Sequence, residues 1–167
     1  MSAAHSELSR LARKYERLIE LRREVSRRPP DDLRSLAAEF PGALRELDAL
    51  TLPELERRLS SVRRALDGEP TDALIEWLLA YHALMRTALL VKRRLRGERR
   101  PSSQQAERLA ESLTSETGLP CSAELVSQVA APPRGRLNEL VLARLSRASG
   151  RGASELRAAL FSESVTP

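Results

Sequence analysis

Apolar residues recur near the start of this chain at alternating steps of three and four. From position 4 to position 27, Arg22 alone interrupts a series made of Leu8, Leu11, Tyr15, Leu18 and Val25. Residues three and four apart share a helix face, whereas residues two apart share a strand face, so the series belongs to an α-helix. The segment therefore predicts an amphipathic helix whose apolar stripe must be covered.

Helical spacing continues along the chain and is divided by helix-breaking residues. Proline or glycine stands at 29–30, 41–42, 97, 101 and 132–133, where a helix is not easily continued. At the helix starts, Thr51, Pro53 and Glu54 form a capping-box sequence, and Ser102 or Ser103 is expected to cap a later helix. We predict helices over 4–27, 31–40, 43–50, 51–68, 71–96, 102–118, 122–130, 136–148 and 153–161.

The longest predicted helix, 71–96, is also the most apolar. Between positions 73 and 91 only Glu76, His82, Arg86 and Thr87 are polar. They fall within an arc of roughly 140° when successive residues are placed 100° apart, so nearly every side of the helix needs cover. Positions 73–91 resemble a membrane span, but the longest unbroken apolar run there is 77–81, against the ~20 residues that a span needs. We therefore predict a buried core helix and no membrane partner.

These elements predict an all-α fold, an irregular multi-helix bundle of seven to nine helices around one long buried central helix. A chain of 167 residues has the usual length of one compact domain. Within it we distinguish an N-terminal helical bundle, residues 1–100, and a C-terminal helical subdomain, residues 101–167, packed on it. The break at 97–101 marks the boundary.

Catalytic and metal-binding residues are scarce in this sequence. It holds two histidines and one cysteine, and it lacks paired-cysteine, H-x-x-x-H, phosphate-loop and dinucleotide motifs. His82 is expected to be partly buried and to hold a hydrogen bond. Cys121 follows Pro120 at a helix start, where either the helix dipole lowers its pKa or it is an inert small residue. We predict no enzyme activity, no cofactor and no metal site.

The location of the protein is predicted from its cysteine content and its first residues. A single cysteine excludes an internal disulfide and fits a reducing compartment. Residues 1–9 lack the basic and then apolar pattern of a secretory signal. We therefore expect a cytoplasmic protein.

Two further features have both a structural and a nucleic-acid interpretation. Trp77 and Tyr81 stand one turn apart, where they either stack on a ligand base or belong to the core. Residues 137–161 have the outline of a helix-turn-helix, but the second helix offers a groove only Ser154, Glu155 and Arg157. We favour the interpretation of Trp77 and Tyr81 as core residues and of 137–161 as an ordinary helical hairpin.

The positive charge of the chain is concentrated in one segment. Residues 86–100 contain seven basic residues and one acid, a charge of +6, so the remaining residues sum to −1 within the whole-chain +5. Clustered arginines neutralise phosphates through forked hydrogen bonds and release counterions. The alternative is a solvated helix end, because 26 of the 28 basic residues are Arg, as a GC-rich genome produces.

We therefore predict a non-catalytic helical binding protein that engages nucleic acid or another polyanion through phosphate contacts, without sequence specificity. The alternative is a protein-interaction or adaptor module, with the stripe of Leu8, Leu11, Tyr15 and Leu18 docking on a protein partner or on a second copy in a homodimer. The predicted polyanion-binding residues are Arg86, Lys92, Arg93, Arg94, Arg96, Arg99, Arg100, Arg134 and Arg136.

Overall fold

The structure, a computed structural model, describes residues 2–24, 34–35, 38–40, 50–95, 100–130 and 137–161. Within these ranges the chain forms no strand, which confirms the predicted all-α fold. The predicted helices 31–40 and 43–50 lie largely outside the described residues. Seven helices of eight residues or more are described: α1 Ala3–Glu24, α2 Leu52–Asp67, α3 Asp72–Leu95, α4 Ser103–Thr117, α5 Ala123–Ala130, α6 Leu137–Ser149 and α7 Ala153–Leu160.

Two capping boxes start α2 and α4. The Thr51 hydroxyl accepts a hydrogen bond from the Glu54 backbone N–H, and the Glu54 carboxylate accepts one from the Thr51 N–H at 2.9 Å. Ser102 and Gln105 form the equivalent reciprocal pair at α4, so Ser102 is the capping residue. Each box satisfies two backbone donors that a helix start otherwise leaves unpaired, which is why these two starts are readable from sequence.

The Ser102 cap permits a local stability test. Because its hydroxyl accepts the Gln105 N–H, we expect Ser102→Ala to lower the free energy of unfolding by about 1 kcal/mol. Ser103→Ala, at the first residue of the same helix, is the matched control and should change stability by only a few tenths. Urea unfolding followed by circular dichroism measures both, and equal losses would contradict the assigned cap.

The central helix α3 is enclosed by its neighbours, as predicted. It packs against α1, α4, α5, α6 and α7, while α2 packs mainly on α1. By length and composition alone α3 could cross a membrane, but more than half of its most apolar 18-residue stretch is buried inside the protein. Its buried residues are Ile75, Leu78, Tyr81, His82, Met85, Arg86, Thr87, Ala88, Leu90, Val91 and Leu95.

The apolar stripe of α1 is covered by the chain itself. Leu8, Tyr15 and Leu18 are 0% exposed and Leu11 is 7% exposed, because the stripe faces α2 and α3. Val25 lies outside the described residues. Arg22, the one polar member of the series, donates through Nη2 to the backbone carbonyl of Leu50. The stripe therefore belongs to the hydrophobic core of this bundle.

Candidate functional site

The carboxyl end of α3 carries three of the predicted polyanion-binding residues. Lys92, Arg93 and Arg94 occupy its last turn and are exposed. Arg94 forms an ion pair with Glu116 of α4, with 3.0 Å between Nη2 and Oε2. Lys92 and Arg93 form no ion pair with another described residue, and Arg100, which precedes α4, is exposed as well. Positive charge at this helix end is favourable, because it complements the helix dipole.

Of the other predicted cations only Arg86 lies among the described residues, and it does not join that surface. Arg86 is buried, at 9% exposure, and lines a cavity of about 290 Å³ with Lys14, Phe40 and residues 117–119. Its aliphatic stem lets it lie along apolar surface. Arg96, Arg99, Arg134 and Arg136 lie outside the described residues.

The C-terminal hairpin, α6 and α7, uses its cations within the chain. Arg157 donates through Nη2 to both carboxylate oxygens of Glu139, at 2.6 and 2.7 Å. The guanidinium of Arg151 lies 5.7 Å from the centre of the half-buried Trp77 ring. The first contact joins α7 to α6, and the second joins the hairpin to α3. Both are consistent with Trp77 as a residue packed in the bundle and with 137–161 as an ordinary helical hairpin.

His82 is more enclosed than predicted, at 1% exposure. Its Nδ1 lies 3.0 Å from the Tyr15 hydroxyl, which joins α3 to α1. Burial, with the charges of Arg58 and Arg86, lowers the pKa of His82 to about 3. His82 Nε2 is buried and has no hydrogen-bond partner among the described residues. A neutral imidazole with one unused nitrogen therefore sits inside the bundle.

Cys121 is half-buried, and burial raises the pKa of its thiol. The charge of Arg144 acts in the opposite direction but is outweighed. The dipole interpretation predicts a lowered pKa, so the structure favours the inert small residue.

A cavity of about 710 Å³ opens where α2, α3, α6 and α7 meet, and His82 lines it. Three other cavities among the described residues are smaller, at about 290, 570 and 570 Å³. Its volume is typical of sites for small organic ligands. Aromatic and sulfur-containing side chains form its apolar part, with the Tyr81 and Phe161 rings edge to face at 5.5 Å and Met85 beside them. No pattern in the sequence predicts this cavity.

Charged and polar groups surround that apolar part. Arg57, Arg58 and Glu54 come from α2, and Arg157 comes from α7. The Tyr81 hydroxyl donates to Asn138 Oδ1 at 2.5 Å, which fixes its ring. Burial raises the pKa of Tyr81, while the nearby Arg58 acts in the opposite direction. The cavity thus combines guanidinium donors with an aromatic surface.

Among the described residues no group of three or more histidine, cysteine, aspartate or glutamate side chains lies close enough to hold a metal ion. Comparisons with protein-family models, with curated proteins and with solved structures find no significant match to this chain. Its function must therefore be argued from its own residues.

Proposed function

We propose that this protein is a non-catalytic helical binding protein that contacts nucleic acid, or another polyanion, through cations at the carboxyl end of α3. The observation that carries the proposal is the concentration of charge: residues 86–100 hold +6 and the rest of the chain −1. Lys92, Arg93 and Arg100 of that segment are exposed.

Binding of this kind is electrostatic and does not depend on base sequence. Lysine and arginine displace counterions from a phosphate backbone, so the affinity falls linearly with salt on logarithmic axes. Arg94 contributes less than its neighbours because Glu116 already neutralises it. Arg86 contributes indirectly at most, because it is buried.

The proposal is tested by titrating a fluorescent DNA duplex and a single strand at several salt concentrations. We expect binding at low salt to both, with Arg93→Gln/Arg100→Gln weakening both about equally. The slope of log affinity against log salt should fall by about 1 for each phosphate contact removed. Fluorescence anisotropy gives both the affinity and the slope.

The matched control is Arg13→Gln/Arg63→Gln, which removes the same charge from exposed positions on α1 and α2. A general effect of net charge would weaken binding equally in both double variants. Equal weakening, or no binding by the natural protein at low salt, would contradict the assignment of the site to the end of α3.

The alternative, a module that docks through the apolar stripe of α1, has less support. Leu8, Tyr15 and Leu18 are fully buried within the chain, so a partner can reach them only if α1 leaves the bundle. For two copies to dimerise through this stripe, the core would have to open, or the two copies would have to exchange α1.

A further inference from the structure

His82, which lines the cavity between α2, α3, α6 and α7, has a buried polar atom without a partner among the described residues. His82 is 1% exposed, and its Nδ1 is occupied by the Tyr15 hydroxyl at 3.0 Å. His82 lines the cavity, and its Nε2 has no partner among the described residues. Buried polar atoms are nearly always hydrogen-bonded, so an unpartnered one on a residue that lines a cavity is unusual.

The hydrogen bond to Tyr15 determines which proton His82 offers. Because a phenol is a stronger acid than a neutral imidazole N–H, we infer that the Tyr15 hydroxyl is the donor to Nδ1, which lies 3.0 Å away. The ring proton of neutral His82 then resides on Nε2. The N–H of Nε2 is then a buried donor that has no acceptor among the described residues.

The charged side chains that line the cavity would be balanced by a ligand with one negative charge. Arg157 is neutralised by Glu139 through two short hydrogen bonds. The two positive charges of Arg57 and Arg58 are then opposed by the single negative charge of Glu54, so the lining keeps a net charge of one positive. Arg58 also has a buried Nε without a partner among the described residues. Arg58 of α2 and His82 of α3 thus both line the cavity, and each holds one buried donor without a partner among the described residues.

The remaining surface of the cavity is apolar. Tyr81 and Phe161 meet edge to face, Met85 adds a polarisable sulfur, and the volume of about 710 Å³ admits a ring system. We propose that this cavity binds a small organic monoanion, a carboxylate on an aromatic body. The carboxylate accepts hydrogen bonds from the Arg58 guanidinium, near the neutral His82, and the aromatic body lies against Tyr81, Met85 and Phe161. This site is separate from the cations at the end of α3.

The probe for this site is 2-naphthoate, compared with 2-naphthalenemethanol, which has a similar shape and no charge. Titration calorimetry on the full chain should show tighter binding of the carboxylate. Arg58→Met keeps an apolar stem and removes the charge, so we expect it to weaken 2-naphthoate about 10- to 100-fold and the alcohol much less.

Arg63→Met is the matched control, because it changes an arginine on the same helix that pairs with Glu16 outside the cavity. It should leave both affinities unchanged, as should Arg93→Gln/Arg100→Gln, which removes the proposed polyanion contacts. Equal effects of Arg58→Met and Arg63→Met would overturn the proposal. So would a natural protein that binds the two probes equally or binds neither.

A second variant keeps the test decisive if Arg58→Met does not fold. Ala158 is exposed on α7 and lines the cavity, so Ala158→Trp should fill the space and abolish binding of both probes. Unchanged binding in Ala158→Trp would place the probes elsewhere and refute the site. In the natural protein, the ¹⁵N resonance of His82 Nε2 should shift on addition of 2-naphthoate.

Discussion

Leu18→Asn is expected to unfold much of the protein rather than to free α1 from a partner. Leu18 is 0% exposed, so the change removes buried apolar volume and leaves an amide without a partner in the core. Removal of a buried leucine side chain costs about 3–5 kcal/mol, and burial of the unpaired amide adds about 1–3 kcal/mol. This loss is comparable with the whole stability of a domain, about 5–15 kcal/mol. Circular dichroism should show a large loss of helix.

The same variant separates the proposed function from its alternative. If α1 docks on a partner or on a second copy, Leu18→Asn should give a folded monomer whose helix content is unchanged. Arg13→Asn introduces the same residue at an exposed position of the same helix, and we expect it to cost under 1 kcal/mol. Sedimentation velocity beside circular dichroism distinguishes dissociation from unfolding. A folded, monomeric Leu18→Asn protein from a dimeric parent would contradict our assignment of the stripe to the core.

The features predicted correctly from sequence are those determined by neighbouring residues. The capping box at Thr51 was predicted, and Ser102 was one of two expected caps; each has its partner three residues away. The helix predicted over 102–118 ends at Gly118, which has a left-handed backbone. Helix spacing likewise identifies the buried stripe of α1 and the enclosure of α3. Each of these depends on propensity and periodicity, which are local properties of the chain.

What sequence reasoning missed depends on residues that are distant in the chain. The Tyr15–His82 hydrogen bond joins positions 67 apart, and no pattern announces it. Arg86 was grouped with the exposed cations because it begins the basic segment, yet it is buried and lines a cavity with Lys14 and residues 117–119. The cavity needs α2, α3, α6 and α7 together. Helix periodicity identifies an inward face, but it does not identify which helices meet there.

The stability of the protein should depend on pH because His82 stays neutral in the native state. Its pKa is lowered from 6.5 to about 3 by burial and by Arg58 and Arg86, whereas an unfolded histidine titrates near 6.5. Between these two values the unfolded state binds a proton that the native state does not, so stability falls as the pH falls. Above pH 6.5 the imidazole is neutral in both states and this contribution is constant.

We expect the free energy of unfolding to drop by about 2 kcal/mol from pH 7.5 to pH 5, before most carboxyl groups titrate. His82→Asn should abolish this dependence, because its side-chain oxygen can accept from Tyr15 and carries no titrating proton. His5→Asn, at the only other histidine, should retain it. Urea unfolding at each pH measures the slope, and the His82 ring resonances report its protonation directly. A native-state midpoint near pH 6.5 would contradict the neutral, buried imidazole that the proposed anion site requires.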